Sequence, residues 1–365
     1  MKIGILTHYN VYNQGAQLQL AALYHWLEEQ GHQPVVLTYE KNFDFMRDER
    51  DKNSASLRAL PYYLRHYLLE KGPGLTLFNV KKVLTHRKSW KAYAFAPWDD
   101  RKLDGVIIGS DEVYSIDVGC NRMMYGHGLG APAIAYAPSF GITTEETLET
   151  HGCTEIVRTG LASMEWLSAR DSHTRDMIRA LTGREAPMVC DPVLLYRGQG
   201  LAEPVRPVKK PYLLVYAYDR NMTDPEEIRG IRTYARKHGL ITVSAGTYHG
   251  WCDRNIPCSA GQWYSLFRDA ACVVTDTFHG SVVAIKNHRN LAVRIRENLN
   301  AFKMRSLLEQ TGLEDRQVSA ITAEELERVL GTPVDHREVD RRLEEMTRSS
   351  EAYLKTALEN VYGKR

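Results

Sequence analysis

The chain has 365 residues, a quarter of them charged, and a formal net charge of +2 at pH 7. This length suffices for two domains with complete cores, and the near-neutral charge balance argues against nucleic-acid binding, which needs a strongly basic face. No apolar run is long enough to cross a bilayer and the first residues lack an export signal, so we expect a cytoplasmic protein with reduced cysteines.

The chain begins with a βαβ pattern. Lys2 to Leu6 is an apolar strand, and Asn13-Gln14-Gly15 forms a turn. Leucines at helical spacing then predict a helix over residues 16–30, and Gln33 to Tyr39 predicts a second strand. Because strands joined through a helix run parallel, this unit predicts a parallel sheet.

Residues 42–100 differ from the rest, because they show helical patches without strand alternation. We interpret them as a helical insertion. An apolar stripe runs from Leu57 to Leu68 opposite Arg58 and Arg65. The stripe fits an ordinary packed helix, and a basic amphipathic helix on a membrane surface is the alternative.

The βαβ alternation resumes after this insertion and continues almost to the end of the chain. The strands predicted are 105–109, 133–137, a strand leading to Ala169, 188–190, 212–218, 241–245, 272–275 and 291–295. The helices predicted are 171–181, 224–238, 262–270, 281–287, 301–310, 324–330 and 337–362.

These elements predict an α/β fold class with two Rossmann-like βαβ domains facing across a cleft. We expect an N-terminal domain over residues 1–196 and a Gly/Pro/Lys-rich linker at 197–210. A C-terminal domain follows over 211–335, and 336–365 form a closing helix. Ligands of such sheets bind at the carboxyl ends of the strands, so the cleft is the expected site.

The segment Thr275-Asp276-Thr277-Phe278-His279-Gly280-Ser281 is the strongest functional signal. It joins a buried strand to a helix start and places an imidazole at the sheet edge. Histidine suits proton transfer near neutral pH, and helix N-termini bind anions such as phosphate. A histidine that only caps or braces the turn is the alternative interpretation.

Three further strand ends carry polar side chains. Asn13, Gln14 and Gly15 allow close approach of an anion or sugar, although Gly15 suits a simple turn equally well. Ser110, Asp111 and Glu112 offer hydroxyl acceptors or a base, although the first two also suit helix capping.

The third of these strand ends carries Arg170, whose guanidinium suits a planar carboxylate. A structural pair with Asp171 is the alternative. His249, Cys252 and Cys258 supply only three of the four ligands that a structural zinc site needs, so no metal is expected. The chain also lacks the glycine-rich dinucleotide and P-loop motifs and the serine-hydrolase elbow.

Taken in order, the strand-end motifs resemble the polysaccharide pyruvyl transferase family over nearly the whole chain. The residues that carry the resemblance are Met1–Thr7 with Asn13–Gln19, Asp104–Asp111, Ala135–Gly141, Ser168–Asp171, Asp191–Leu195, Thr275–Ser281, Leu307–Glu309 and Gly312–Arg316.

The resemblance implies a two-domain fold similar to GT-B glycosyltransferases. It also implies transfer of the pyruvyl group of phosphoenolpyruvate onto a sugar, with ketal formation, release of phosphate and no cofactor. His279 is then the general acid and Arg170 the carboxylate-binding residue. Thr277, Gly280 and Ser281 are expected to contact substrate, the last two through backbone N–H groups that hold the phosphate.

Three positions depart from the family's pattern. Glu112 stands where glutamine is common and Tyr114 where tryptophan commonly follows it, and Lys303, also expected to bind substrate, stands where arginine is common. The acceptor therefore stays open. We expect a sugar of an exopolysaccharide or lipid-linked precursor of the cell envelope, used at the inner face of the membrane with peripheral membrane contact.

Two other functions remain open from the sequence. One is a nucleotide-sugar glycosyltransferase on the same architecture, and the other is a non-catalytic glycan-binding protein.

Overall fold

The computed structural model describes residues 1–40, 45, 72–118, 121–198, 200–218, 220–296 and 301–363. The strands are β1 (Lys2–Leu6), β2 (Gln33–Thr38), β3 (Phe95–Pro97), β4 (Gly105–Ile108), β5 (Ala133–Ala135), β6 (Tyr212–Tyr216), β7 (Ile241–Ala245), β8 (Arg254–Ile256), β9 (Cys272–Thr275), β10 (Asn290–Arg294) and β11 (Gln317–Val318).

The α-helices are α1 (Gln14–Glu29), α2 (Gly72–Ser89), α3 (Glu145–Thr150), α4 (Thr154–Ser163), α5 (Ser172–Thr182), α6 (Pro192–Leu195), α7 (Pro225–Lys237), α8 (Ala260–Arg268), α9 (Phe278–Lys286), α10 (Ala301–Thr311), α11 (Ala323–Gly331) and α12 (His336–Gly363). Within the described ranges, no helix combines the length and apolar character needed to span a bilayer.

The strands form two parallel sheets. The first has the order β3-β2-β1-β4-β5, and the second has the order β11-β10-β9-β6-β7-β8. Each sheet therefore reverses its winding beside its first strand, which is where ligands bind in doubly wound folds. The central strands are continuous buried apolar runs, as expected when helices cover both faces.

Helices from both lobes share one core between the sheets. Helix α1 packs against α6 of the first lobe and against α8 and α9 of the second. Helix α12 returns to the first lobe, where the Tyr353 hydroxyl donates to the Ala135 carbonyl at 2.9 Å. This packing holds the two carboxyl edges close together.

Several element predictions need correction. The predicted helix at 281–287 begins earlier, at Phe278, so His279 lies in its first turn. The strand leading to Ala169 is reduced to isolated bridges at Trp166 and Ala169. The helical insertion contains α2, but it also contains the edge strand β3.

The amphipathic stripe predicted from Leu57 to Leu68 lies outside the described residues. The domain boundaries stay a prediction. The described residues of the predicted linker at 197–210 form no strand or α-helix.

Candidate active site

A cleft between the lobes is lined by residues that follow the strands of both sheets. The first lobe contributes His8, Val11, Asn13, Ala16, Asp111, Glu112 and Val118; the second contributes Tyr216, Tyr218, Thr277, Phe278, His279 and Lys303. Aromatic and aliphatic walls with a few charged groups at one end are typical of small-molecule sites.

His279 reaches the cleft from the first turn of α9. Thr277 caps this helix, and its hydroxyl accepts from the Gly280 N–H at 3.1 Å. The imidazole lies directly over Gly15 of α1, because a Cβ added there would lie 2.4 Å from His279 Cγ and Nδ1. Gly15 therefore permits a contact between backbone and imidazole that no other residue would allow.

Asp191 joins the two residues that the resemblance marks as catalytic. His279 Nε2 lies 3.4 Å from Asp191 Oδ2, at ion-pair distance without hydrogen-bond alignment. An NH1 donor of Arg170 lies 3.5 Å from the same oxygen. Burial raises the pKa of Asp191, but His279, Arg170 and the Val193 N–H outweigh it and hold that pKa below its ordinary value.

Arg170 lies behind the cleft wall. Its side chain is only 1% exposed, and its guanidinium carbon is 4.6 Å from the centre of the Phe278 ring. Burial lowers its pKa, but Asp111 and Asp191 more than compensate and raise it. Its Nε and NH2 groups are buried, and no described residue accepts a hydrogen bond from them. Two directed donors therefore remain unused beside the cleft.

The Arg170–Asp171 pair considered from the sequence does not form. Asp171 instead caps α5, accepting from the Thr174 N–H at 2.8 Å. Asp111 pairs with Arg170 instead, with its Oδ1 3.6 Å from Arg170 Nη1. The structure therefore pairs Arg170 with carboxylates from two other strand ends.

Asp111 has a left-handed backbone, with φ of 85°. A non-glycine residue in this region marks a locally constrained site. Burial raises the pKa of Asp111, but His279, Arg170 and two further cationic groups together hold it well below its ordinary value. The Asp111 carboxylate is therefore ionised and faces the cleft.

Glu112 and Lys303 form an ion pair across the cleft. Glu112 belongs to the first lobe and Lys303 to α10 of the second, and both line the cleft. Both positions depart from the family's pattern. The structure shows them as partners.

Other predicted site residues point elsewhere. Ser110 is fully buried, and its hydroxyl donates to the Ala137 carbonyl. Gln14 Nε2 donates to the Cys258 carbonyl at 3.3 Å, away from the cleft lining. The amide of Asn13 accepts from the Ala16 N–H and caps α1, although Asn13 also lines the cleft.

The expected phosphate donors are also engaged. The N–H groups of Gly280 and Ser281 both donate to Thr277, to its hydroxyl and its carbonyl respectively, each at 3.1 Å. By contrast, no described residue accepts from the N–H groups of Phe278 and His279. The anion-binding end of α9 therefore lies one or two residues before the predicted position.

The sequence analysis did not identify His8 and Asp191 as site residues. His8 lines the cleft, and its Nε2 lies 3.2 Å from the Glu112 carbonyl. Asp191 appeared only as part of a motif. Both follow predicted strands directly, so the strand-end rule applied to every strand finds them.

The chain is similar to known proteins in sequence family and in fold. A family model described as polysaccharide pyruvyl transferase matches residues 13–292. Among curated proteins, no sequence match was found.

Three solved structures illustrate the similarity of fold. UGT89C1 of Arabidopsis thaliana complexed with UDP-L-rhamnose has a TM-score of 0.53 and 11% identity, covering 99% of this chain and 98% of that chain. MnaA of S. aureus with UDP has a TM-score of 0.50 and 11% identity, covering 95% and 90%. The spinosyn rhamnosyltransferase SpnG has a TM-score of 0.50 and 14% identity, covering 98% and 100%. The similarity spans both lobes and confirms the GT-B-like fold class.

Proposed function

The chain belongs to the polysaccharide pyruvyl transferase family, and we propose that it transfers the pyruvyl group of phosphoenolpyruvate onto two hydroxyls of one sugar. The product is a cyclic ketal, and inorganic phosphate leaves. One observation carries the proposal. His279, which lines the cleft, and Arg170, which lies behind its wall, come from different lobes and meet on a single oxygen of Asp191.

The phosphate and the carboxylate of phosphoenolpyruvate match two sets of hydrogen-bond donors in the protein. The free N–H groups of Phe278 and His279 open α9 beside the Lys303 ammonium, which suits a phosphate. The unused Nε and NH2 groups of Arg170 suit a planar carboxylate. They reach it when the Phe278 ring, which covers the guanidinium, turns aside.

The reaction balances with these groups. His279 donates a proton to the methylene carbon, which becomes a methyl group and leaves the neighbouring carbon electrophilic. The first sugar hydroxyl forms a C–O bond to that carbon, and its proton passes to His279, which restores the protonated imidazole. The C–O bond to phosphate then breaks, the second hydroxyl attacks the same carbon, and its proton leaves with the phosphate.

In this proposal the acceptor sugar lies beside phosphoenolpyruvate, against residues of the first lobe. The ionised Asp111 carboxylate accepts hydrogen bonds from sugar hydroxyls, and Glu112 contributes a second acceptor. Holding both hydroxyls near one carbon accounts for much of the rate enhancement in such a reaction. A sugar of an envelope polysaccharide, free or carried on a lipid, is the acceptor class.

The test measures phosphate release from phosphoenolpyruvate across a panel of glycans and lipid-linked sugars. We expect release with at least one acceptor and its loss in His279→Ala. The matched control is His238→Ala, since His238 pairs with Glu327 at 3.1 Å on the exposed surface. A fully active His279→Ala variant would contradict the assigned role of His279.

Ligand-dependent melting tests the donor without knowledge of the acceptor. A ligand at one hundred times its Kd stabilises the folded state by about 2.7 kcal/mol. We expect stabilisation by phosphoenolpyruvate. Stabilisation by UDP alone would instead support a nucleotide-sugar glycosyltransferase, and stabilisation by glycans alone would support a binding protein.

A further inference from the structure

Helix α2 packs on the protein by one face. Phe78 and His86 are buried on this face, and Leu75 and Val83 beside them are half-buried. Phe78 contacts the Tyr248 ring of the second lobe at 5.5 Å, and His86 contacts the Tyr12 ring of the first lobe at 5.9 Å. The opposite face of the helix makes none of these contacts.

The outer face of α2 is apolar and open. Leu77, Val80 and Leu84 are 56%, 52% and 62% exposed. Their spacing of three and four residues places them on one face. Two hydroxyls of the helix, those of Thr76 and Thr85, donate to carbonyls one turn earlier, so they add little polarity to the surface.

Cations flank this stripe on both sides. Lys81 and Lys88 lie along one edge and Arg87 along the other, and all three are exposed. Helix α2 contains no aspartate or glutamate. None of these three cations forms an ion pair with another described residue.

The inner face of α2, opposite the stripe, lies close to the cleft. Tyr12, which contacts His86, stands between the cleft-lining residues Val11 and Asn13. Tyr12 also stacks on Trp90 just beyond the end of α2, with ring centres 5.7 Å apart. A surface bound to the outer face of α2 is therefore separated from residues 11–13 by about the width of one helix.

We propose that α2 docks the protein on an anionic phospholipid surface, with Leu77, Val80 and Leu84 in the interface and the flanking cations on lipid phosphates. On such a surface, exposed aliphatic side chains enter the interface and the basic residues beside them are attracted to anionic lipid phosphates. A second copy of this chain fits less well, because two such faces would bring like charges together. The proposal concerns binding alone and does not depend on the identity of donor or acceptor.

The experiment is co-sedimentation of the full chain with large vesicles. One set contains phosphatidylcholine alone, and the other contains phosphatidylcholine mixed with phosphatidylglycerol. We expect binding to the anionic vesicles only, weakened by added salt. The variant Leu77→Gln/Val80→Gln/Leu84→Gln should lose binding while keeping its melting temperature, because all three side chains are exposed.

A charge variant and a matched control locate the effect. Lys81→Gln/Arg87→Gln/Lys88→Gln should lower the partition coefficient on the order of 100-fold, since each cation near an anionic surface contributes roughly fivefold. Arg206→Gln/Lys209→Gln/Lys210→Gln removes the same charge from exposed residues of the predicted linker and should change little.

Three results would overturn the proposal. These are no binding to the anionic vesicles, equal binding by the apolar-stripe variant and wild type, and equal loss in the linker control. Sedimentation velocity without lipid can give a fourth such result. If wild type is a dimer and the apolar-stripe variant is a monomer, the exposed face of α2 binds a second copy of this chain and not a lipid surface.

Discussion

Replacing Gly15 by alanine tests how closely the two lobes approach at the candidate site. The new Cβ would lie 2.4 Å from His279 Cγ and 2.5 Å from His279 Cβ. Ordinary carbon contacts begin near 3.5 Å, so the two groups must separate by about 1 Å. Because His279 Cβ is fixed to the backbone of α9, a change of rotamer cannot provide this separation.

The expected cost has two components. Overpacking of this kind lowers the free energy of unfolding by about 1–3 kcal/mol. Displacing a catalytic group by about 1 Å lowers turnover by about 100-fold. Helix propensity acts in the opposite direction, since alanine is up to about 1 kcal/mol better than glycine inside a helix.

A double-mutant cycle isolates the contact. Urea unfolding is measured for wild type, Gly15→Ala, His279→Gly and the double variant. Removing both the imidazole and its Cβ should abolish the cost of Gly15→Ala, whereas His279→Ala retains the 2.5 Å contact and should relieve only part of it. An equal cost in the wild-type and His279→Gly backgrounds would refute the reasoning.

Other predictions concern buried charges near the cleft. Burial, with a smaller effect of a neighbouring lysine, lowers the pKa of His86 to about 4. The neutral imidazole therefore contributes its full stability above pH 6.5, and this contribution is lost as the pH falls towards 4. Between pH 7.5 and 5 the free energy of unfolding should fall by about 2 kcal/mol more in wild type than in His86→Gln. Parallel stability curves for the two proteins would contradict this. Lys303→Gln should weaken phosphoenolpyruvate binding by about tenfold or more. Glu112→Gln should tighten this binding, because it frees the Lys303 ammonium from its ion pair with Glu112. Calorimetry in which both variants change the affinity in the same direction would contradict a competition between Glu112 and phosphoenolpyruvate for Lys303. Arg170→Met removes the buried cation that lies between Asp111 and Asp191 and should cost about 3–5 kcal/mol in urea unfolding, with a loss under 1 kcal/mol as the contrary outcome.

The strands of the two sheet centres could be predicted closely. The predicted strand at 272–275 is β9, and those at 212–218 and 291–295 differ from β6 and β10 by one or two residues at an end. A strand buried on both faces requires a continuous apolar run, which is visible in the sequence alone.

Three of the four edge strands could not be predicted, whereas the fourth, β5, lies within the strand predicted at 133–137. Phe95–Pro97, Arg254–Ile256 and Gln317–Val318 have two or three residues each. They carry polar or proline residues and show no apolar alternation, because an edge strand needs little burial. Their place in the sheets follows from the neighbouring strand.

Which strand-end residues enter the cleft depended on local backbone geometry. Ser110 and Asp111 are adjacent, yet Ser110 is buried against Ala137, whereas Asp111 turns into the cleft with positive φ. Helix α9 begins at Phe278, earlier than predicted, and this shift decides which N–H groups remain free. Neither difference has a signature in residue type.

The sequence by itself determined the βαβ alternation, the parallel sheets and the candidate residues at their carboxyl ends, because each depends on residues a few positions apart. Only the tertiary structure decided that Asp191 links His279 to Arg170 and that Glu112 pairs with Lys303. Those partners are separated by 21 to 191 residues along the chain. Their contacts arise from the packing of two lobes around α1, and no local pattern of hydrophobicity encodes that packing.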